Sequence, residues 1–251
     1  MSFFSRKVLL LTECSLRTLC FLVLAGMAWG QAADKTSPAP LSAAQIVDLM
    51  QRHNQVRADD LKHYQSLRHY EVQYKGFPAL AAKMTVAADY DSVTGKTLRI
   101  VSQSGSKLLL DKVLKRLLDS EQEAWKNQRS TALTLANYTF RLAGSENVAG
   151  RPAYVLDVEP LVKSKLLYRG KIWVDAHDFA VAKIEAQPAQ NPSFWITKTQ
   201  IHHEYAKTGA FWLPQKNRSE TKARLGGTAV LTIDYGTYQV VPAAVVPEGG
   251  F

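Results

Sequence analysis

The chain has 251 residues, of which 46% are hydrophobic and 21% are charged, and this balance is typical of a folded globular protein. Its length is sufficient for one or two domains with a sizeable apolar core, so a mainly disordered chain is excluded. The formal net charge is +9, and 28 basic side chains still face 21 acidic ones once the first 30 residues are set aside.

The first 30 residues have the features of a secretory signal. Basic residues precede an apolar run at 19–29, and Ala28 and Gly30 provide the small residues for cleavage before Gln31. The run is shorter than the roughly 20 apolar residues that span a bilayer. We therefore predict an exported protein whose signal is removed, with an uncleaved N-terminal anchor as the alternative.

Both cysteines, Cys14 and Cys20, fall inside this predicted signal. The processed chain would then contain no thiol, which excludes a disulfide, a cysteine nucleophile and a zinc–thiolate site. The packed core alone must stabilise the fold.

A helix is predicted after a short linker at 31–40, which contains small residues and proline. Ser42 followed by Gln45 fits a capping box at the start of this helix. Apolar residues at helical spacing follow, so the segment 41–64 is predicted to form one amphipathic helix that packs against another element.

The period then changes to the alternation of strands at 67–74, 83–91 and 96–103. A turn ending at Gly95 joins the last two as a hairpin. Helical spacing returns at 106–128, where an apolar stripe indicates a second amphipathic helix. The stripe consists of Leu110, Val113, Leu114, Leu117 and Leu118.

Seven further strand-like segments follow, separated by turns that carry Gly, Pro, Asn or Asp. Short connections join antiparallel strands, because parallel strands need long crossovers. An open sheet of about ten twisted strands tends to curl. The sequence therefore predicts an α+β fold, a strongly curved antiparallel half-barrel of about ten strands whose concave face is covered by the two amphipathic helices. This domain is predicted over 41–241, with a flexible tail at 242–251.

Three polar residues between two apolar strands, Asp175, His177 and Asp178, are candidates for metal ligands or for an acid/base pair. They also fit the polar tip of a hairpin, because Asp carboxylates bond nearby backbone N–H groups. A metal site needs three or four rigidly held ligands, and a hairpin tip is a poor place to hold them. We favour the hairpin tip.

A second polar group, His202, His203 and Glu204, lies in a predicted strand. There His202 and Glu204 share one face while His203 points to the other, so no complete metal site results. Nucleophile and nucleotide-binding motifs are also missing. We therefore predict no catalytic residue, no metal and no cofactor.

Basic residues cluster on the second helix and near one later loop. The first group is Lys107, Lys112, Lys115, Arg116, Lys126 and Arg129, and the second is Lys163, Lys165, Arg169 and Lys171. For an exported protein, anionic lipid head groups or an acidic protein surface are the expected partners of such a patch, and nucleic acid is not. An ordinary solvated face is the alternative.

Several strands are apolar on both faces, as at 172–174 and 179–184. The exposed face of a one-sided sheet is normally more polar. Small and aromatic residues under only two helices favour an apolar ligand cavity, with a filled core as the alternative.

The second half of the chain resembles a known family. The relevant segments are "GRPAYVLDVEP" (150–160), "YRGKIWVDAHDFAVAKIEAQP" (168–188) and "YAKTGAFWLPQKNRSETKARLGGTAVLTIDYGTYQV" (205–240). They are similar to the outer-membrane lipoprotein-sorting proteins of the LolA-like superfamily, which also includes LolB and sigma-factor regulators of the RseB type. These motifs are structural rather than catalytic.

The resemblance implies a periplasmic half-barrel with an apolar cavity under a helical lid. It leads us to expect an exported, monomeric, non-enzymatic carrier that binds lipid or lipoprotein acyl chains in outer-membrane lipoprotein sorting. The alternative is a periplasmic regulatory protein that binds a protein partner through the same half-barrel. The residues expected to contribute to the cavity are Leu110, Val113, Leu114, Leu117, Trp173, Phe179 and Trp195.

Overall fold

In the computed structural model, the described residues form one open antiparallel sheet of eleven strands, which carries helices on one face. The structure describes residues 41–126, 128–191, 194, 196–224 and 226–242, and the side chains of 123–129 are not described. The predicted signal, its cleavage site, the linker and most of the tail lie outside the described residues.

The strands are β1 (Leu61–Lys75), β2 (Leu80–Asp91), β3 (Gly95–Gly105), β4 (Tyr138–Val148), β5 (Arg151–Pro160), β6 (Tyr168–Asp175), β7 (Val181–Pro188), β8 (Ile196–Thr208), β9 (Phe211–Ala223), β10 (Thr228–Tyr235) and β11 (Gln239–Pro242). The helix α1 (Ala43–Asp60) precedes them. A second helical segment follows β3 and consists of α2 (Lys107–Leu109), a π-helical turn (Leu110–Leu114), α3 (Lys115–Lys126) and α4 (Gln128–Thr131).

The start of α1 is as predicted, but its end is not. Ser42 and Gln45 form the capping box, with the Ser42 N–H donating to Gln45 Oε1 at 2.9 Å. The prediction of helix to residue 64 is wrong, because β1 begins at Leu61 and pairs there with β11. Tyr64 is buried in this strand and stacks on Tyr90 at 5.1 Å between ring centroids.

The strand order is β3-β2-β1-β10-β9-β8-β7-β6-β5-β4, with β11 beside the start of β1. The last long strand, β10, thus pairs with the first one, β1, and every pair is antiparallel. The predicted class, a large antiparallel sheet with a helical cover, is confirmed, with eleven strands in place of about ten.

A row of paired residues shows that both helical segments cover the same face. Residues paired across neighbouring strands project from one face of a sheet. The row runs through Tyr70, Ile233, Asn217, His203, Ile184, Ile172 and Leu156. The first two residues of the row pack in an apolar core cluster with the second helical segment. The last three pack in a separate apolar core cluster with α1.

Each helical segment buries an apolar stripe in its own cluster. α1 contributes Ile46, Val47 and Met50, and the second segment contributes Leu109, Leu110, Leu114 and Leu118. Burying an aliphatic side chain of this size contributes roughly 1.5–3 kcal/mol. The two clusters lie toward opposite edges of the sheet, and the polar pair Asn217 and His203 lies between them in the row.

A buried ion cluster joins α3 to the sheet. Arg68 of β1 is 1% exposed and donates from Nη1 to Glu121 Oε1 at 2.7 Å, and Lys96 of β3 contacts the same carboxylate. Burial opposes ionisation of Glu121, but the two cations outweigh it and lower the pKa of the carboxyl. Burial also lowers the pKa of Lys96. We call Arg68, Lys96 and Glu121 the buried ion cluster.

Candidate ligand cavity on the helix-covered face

A cavity of about 300 Å³ opens on the helix-covered face, between the C-terminal part of α1 and strands β6 to β9. Its wall is mainly aliphatic and aromatic, with Asn54, Arg57 and Thr131 as polar members. The principal apolar and aromatic wall residues are Leu133, Tyr168, Val181, Ile184, Tyr205 and Trp212. This volume is at the lower end of the range for small-molecule sites, which are also mostly apolar with a few polar groups.

Two tyrosines place uncharged hydroxyl groups in this wall. Burial raises the pKa of Tyr168 well above its ordinary value, and the neighbouring Tyr205 and Tyr138 add to the effect. Burial also raises the pKa of Tyr205 to about 12. Both phenols are therefore neutral at physiological pH, so they suit an apolar ligand with a few polar groups better than an ionic one.

The cation in the wall, Arg57, is already bound to the backbone of the β6–β7 hairpin. Its Nη1 donates to the carbonyl oxygen of Asp178 at 2.7 Å, and its Nη2 donates to that of Phe179 at 3.2 Å. These bonds hold the end of α1 against the hairpin. Arg57 therefore fixes one wall of the cavity.

Asp175 organises the tip of that hairpin, as the sequence predicted for a turn carboxylate. It is 1% exposed, and its Oδ1 accepts from the backbone N–H groups of His177 at 3.0 Å and Asp178 at 2.7 Å. Arg151 donates from Nε to Oδ2 at 2.5 Å and from Nη2 to Oδ1 at 2.9 Å. An ion pair with a buried carboxylate thus holds the tip in place, which residue type alone did not reveal.

Asp178 connects the same tip to the cavity wall. Its Oδ2 accepts from Trp212 Nε1 at 3.0 Å, from Lys207 Nζ at 2.8 Å and from Arg151 Nη2 at 3.0 Å. The hydrogen bond to the indole fixes the orientation of Trp212, a wall residue. Asp175 and Asp178 therefore position the cavity, and their bonds account for them without acid/base chemistry.

A polar pair lies on the same face between the two apolar clusters. The Nδ2 of Asn217 lies 2.7 Å from Nε2 of His203, and both residues are partly buried in the middle of the sheet. Burial, aided by the nearby His202, lowers the pKa of His203 to about 4. His203 is therefore neutral at physiological pH.

The burial of His203 predicts a loss of stability in mild acid. The unfolded imidazole takes up a proton near pH 6.5 and the folded one only near pH 4, so stability is full above about 6.5 and falls as the pH is lowered to about 4. A His203→Gln variant should lose this part of the pH dependence, on the order of 3 kcal/mol. Urea unfolding at pH 7.5, 5.5 and 4.5 measures it, and His177→Gln, whose side chain is exposed at the β6–β7 hairpin, is the control. An unchanged pH profile in His203→Gln would contradict the assignment.

The apolar stripe predicted for the second helix packs against the sheet, as expected for a helix that covers it. Leu110 and Leu114 are buried in the cluster with β1, β2 and β10, and Val113 and Leu117 pack against it. These four residues fill the core beside the far edge of the sheet and do not line the cavity of about 300 Å³.

The three aromatic residues predicted for the cavity fall in different places. Phe179 has φ 47° at the hairpin, packs beside α1 and contacts His53 at 5.4 Å between ring centroids. Trp173 is buried on the opposite face with Ala153 and Val155, so it cannot share a cavity with the helix stripe. Trp195 lies outside the described residues.

Sequence reasoning did not select Tyr168, Tyr205 and Trp212. A signal was present for Tyr168, which alternates with Ile172 and Val174 along β6. Tyr205 alternates with His203 along β8, so a signal was present for it as well. For Trp212 the signal is interrupted by a bulge in β9, where Lys216 and Pro214 pair with the neighbouring residues Glu204 and Tyr205.

A larger depression, of about 760 Å³, lies around the outward-facing side chains of β1, β2 and β3. Polar and charged groups such as Gln65, His69, Asp89 and Arg99 contribute to its lining. Covering them with an acyl chain would remove them from water without replacing their hydrogen bonds. Apolar residues such as Leu67, Ala87 and Ala88 line the depression as well. We take the smaller cavity as the candidate because it lies under the helical cover, where the sequence predicts an apolar ligand.

Potential metal ligands are dispersed over the fold. In the ranges that the structure describes, no three His, Cys, Asp or Glu side chains come together as a metal site requires.

No protein-family model and no characterised protein matches the sequence. Among solved structures, the chain is similar to a DUF1329 family protein from Desulfovibrio piger, at 12% identity over 80% of this chain and 94% of that one, with a TM-score of 0.43. It is also similar to a LolA superfamily protein from Nitrosomonas europaea, at 12% identity over 80% and 94%, with a TM-score of 0.38. A third match is the Pseudomonas aeruginosa MucA/MucB complex, at 14% identity over 79% and 94%, with a TM-score of 0.25. A LolA superfamily structure is thus among the matches.

Proposed function

We propose that this protein is an exported, non-enzymatic binder of lipid or lipoprotein acyl chains, and that the chain of the ligand lies in the cavity beside α1. The observation that supports this proposal is the cavity of about 300 Å³ on the helix-covered face, with its wall of Leu133, Val181 and Ile184 and three aromatic residues. Each methylene group buried there would contribute about 0.8 kcal/mol.

The geometry of the wall suits reversible binding. Tyr168 and Tyr205 are neutral, and Arg57 already has backbone partners in the hairpin. An acyl chain would therefore bind by contact with apolar and aromatic groups. Such binding needs no covalent step.

Filling the cavity should weaken binding of an acyl chain. Leu133→Trp places a larger side chain in the wall, whereas Leu135→Trp, two residues later and 48% exposed, leaves the wall unchanged. We expect Leu133→Trp to lower the affinity for a fluorescent fatty acid by roughly tenfold or more, because it removes space for several methylene groups, and Leu135→Trp to bind as the native protein does. Displacement of the probe by unlabelled fatty acid measures both affinities. Equal affinities in the two variants would contradict the proposed location.

Extraction of the purified protein identifies the ligand class. Co-purifying phospholipid or acylated peptide, detected by mass spectrometry, supports the proposal. An empty cavity in a protein that holds a protein partner tightly would favour the regulatory alternative.

Export is part of the proposal and has its own test. No helix among the described residues is long and apolar enough to cross a membrane. We expect the chain recovered from the periplasm of the expressing cell to begin at Gln31, which intact-mass measurement determines. A mass that includes the first 30 residues would indicate the uncleaved anchor instead.

A further inference from the structure

The register of the sheet brings six connecting segments to one end of the molecule. Lys75 at the end of β1 pairs with Thr228 at the start of β10, and the antiparallel pairing continues from strand to strand as far as the start of β4 at Tyr138. The connections β1–β2, β5–β6, β7–β8 and β9–β10 therefore share this end with the residues that follow β3 and those that precede β4. We call it the loop end.

Exposed apolar side chains gather at the loop end. Six large apolar residues of these segments are between 48% and 100% exposed: Phe77, Leu108, Leu135, Leu161, Val162 and Phe194. They come from five different segments of the sequence, so only the fold brings them to one end. Large apolar side chains exposed at one end of a molecule indicate an interaction surface.

The charges of the same segments have one sign. Lys107, Lys163, Lys165 and Arg224 lie in them, and the sequences 76–79, 106–108, 132–137, 161–167, 189–195 and 224–227 contain no Asp or Glu. Apolar side chains interleaved with lysine are the composition that binds an anionic lipid surface, because the apolar groups enter the acyl boundary while the cations meet the head groups.

The β5–β6 connection presents this combination most clearly. Leu161, Val162, Lys163 and Lys165 are exposed there, while Leu167 is buried in the core cluster of α1. The Leu161 N–H donates to the carbonyl of Asn137 at 2.9 Å, and the Leu167 carbonyl accepts from the Ala189 N–H at 2.8 Å. The segment is thus held at both ends, and its exposed side chains are presented from a fixed base.

We propose that the loop end docks on the surface of an anionic lipid bilayer, with Phe77, Leu161 and Val162 entering the interface and Lys163 and Lys165 meeting the head groups. The surface is distinct from the cavity, and the proposal holds whether or not the cavity binds an acyl chain. A lipid surface fits better than an acidic protein because apolar residues from separate loops are combined with cations at the rim of the sheet.

A fluorophore at single positions tests the contact directly. In the processed chain, which begins at Gln31 and contains no native cysteine, Val162→Cys or Phe77→Cys is labelled with an environment-sensitive dye, and Val93→Cys is the control. Val93 is 90% exposed but lies in the β2–β3 turn at the opposite end of the sheet. With vesicles of phosphatidylglycerol and phosphatidylcholine we expect a blue shift at 162 and 77 and no shift at 93.

Variants of the β5–β6 connection test the two components of binding. Lys163→Gln with Lys165→Gln should weaken co-sedimentation with these vesicles by about fivefold per lysine, and Leu161→Asp with Val162→Asp by roughly tenfold or more. Val93→Asp should bind as the native protein does, and all variants should keep the native circular dichroism spectrum. Vesicle binding that is absent, equal in all variants, or independent of phosphatidylglycerol would overturn the proposal. A photo-cross-linker attached at position 162 that captures a protein in place of lipid would also overturn it.

Discussion

Asp175→Ala is expected to lower the free energy of unfolding by about 3 to 5 kcal/mol, because it removes a buried carboxylate that accepts four hydrogen bonds. Two of the donors are backbone N–H groups of the hairpin, which would lose their partner. Urea unfolding followed by tryptophan fluorescence measures the effect.

Asp157→Ala is the matched control for Asp175→Ala. Asp157 also pairs with basic residues, Arg141 and Lys171, but both of these are largely exposed. Its removal should cost less than about 1 kcal/mol. Equal losses in the two variants would contradict a structural role for the buried carboxylate.

The contribution of Asp175 to the free energy of unfolding should be lost at acidic pH. Burial opposes its ionisation, but the hydrogen bonds from Arg151 and from the Asp178 and His177 N–H groups outweigh burial and lower the pKa of Asp175. The group therefore stabilises the fold above the unfolded-state pKa near 3.9, and this contribution is lost as the pH falls through the lower folded-state value. The difference between the native protein and Asp175→Ala should shrink below about pH 4.

The buried ion cluster predicts unequal effects for its members. Glu121→Gln leaves Arg68 and Lys96 facing each other beneath α3, and we expect a loss of about 3 to 5 kcal/mol. Arg68→Met should also destabilise the fold, because Glu121 would keep only Lys96, whose pKa burial already lowers.

Lys96→Met should behave differently from both. It removes the excess cation, leaves the Arg68–Glu121 pair intact and replaces the lysine stem by a side chain of similar shape. We expect a change within about 1 kcal/mol of zero, measured by urea unfolding beside Glu121→Gln. A loss as large as that of Glu121→Gln would show that Lys96 is a required partner.

Local signals in the sequence predicted much of the fold. The capping box at Ser42, the β2–β3 hairpin and the alternation in β6 and β7 each depend on neighbouring residues, and each is confirmed. The end of α1 was missed because Leu61 continues the helical spacing, whereas the pairing of β1 with β11 joins segments far apart in sequence.

The wall of the cavity could not be predicted from local patterns, because it also combines segments that lie far apart in sequence. Tyr168, Tyr205 and Trp212 come from three strands, and a bulge in β9 changes the alternation that leads to Trp212. Trp173 was selected as a cavity residue because it is large and aromatic, although its neighbours Ile172 and Val174 already place it on the other face. Composition predicted a cavity, but only the register of the sheet specifies its wall.

Photo-crosslinking with a diazirine-bearing fatty acid tests the central claim, that an acyl chain lies in the cavity beside α1. Mass spectrometry of the digested adduct should find the label on wall residues such as Tyr168, Val181 or Tyr205, and Leu133→Trp should reduce that labelling. Labelling confined to the opposite face, at Leu67 or Ala87 of the larger depression, would contradict the account.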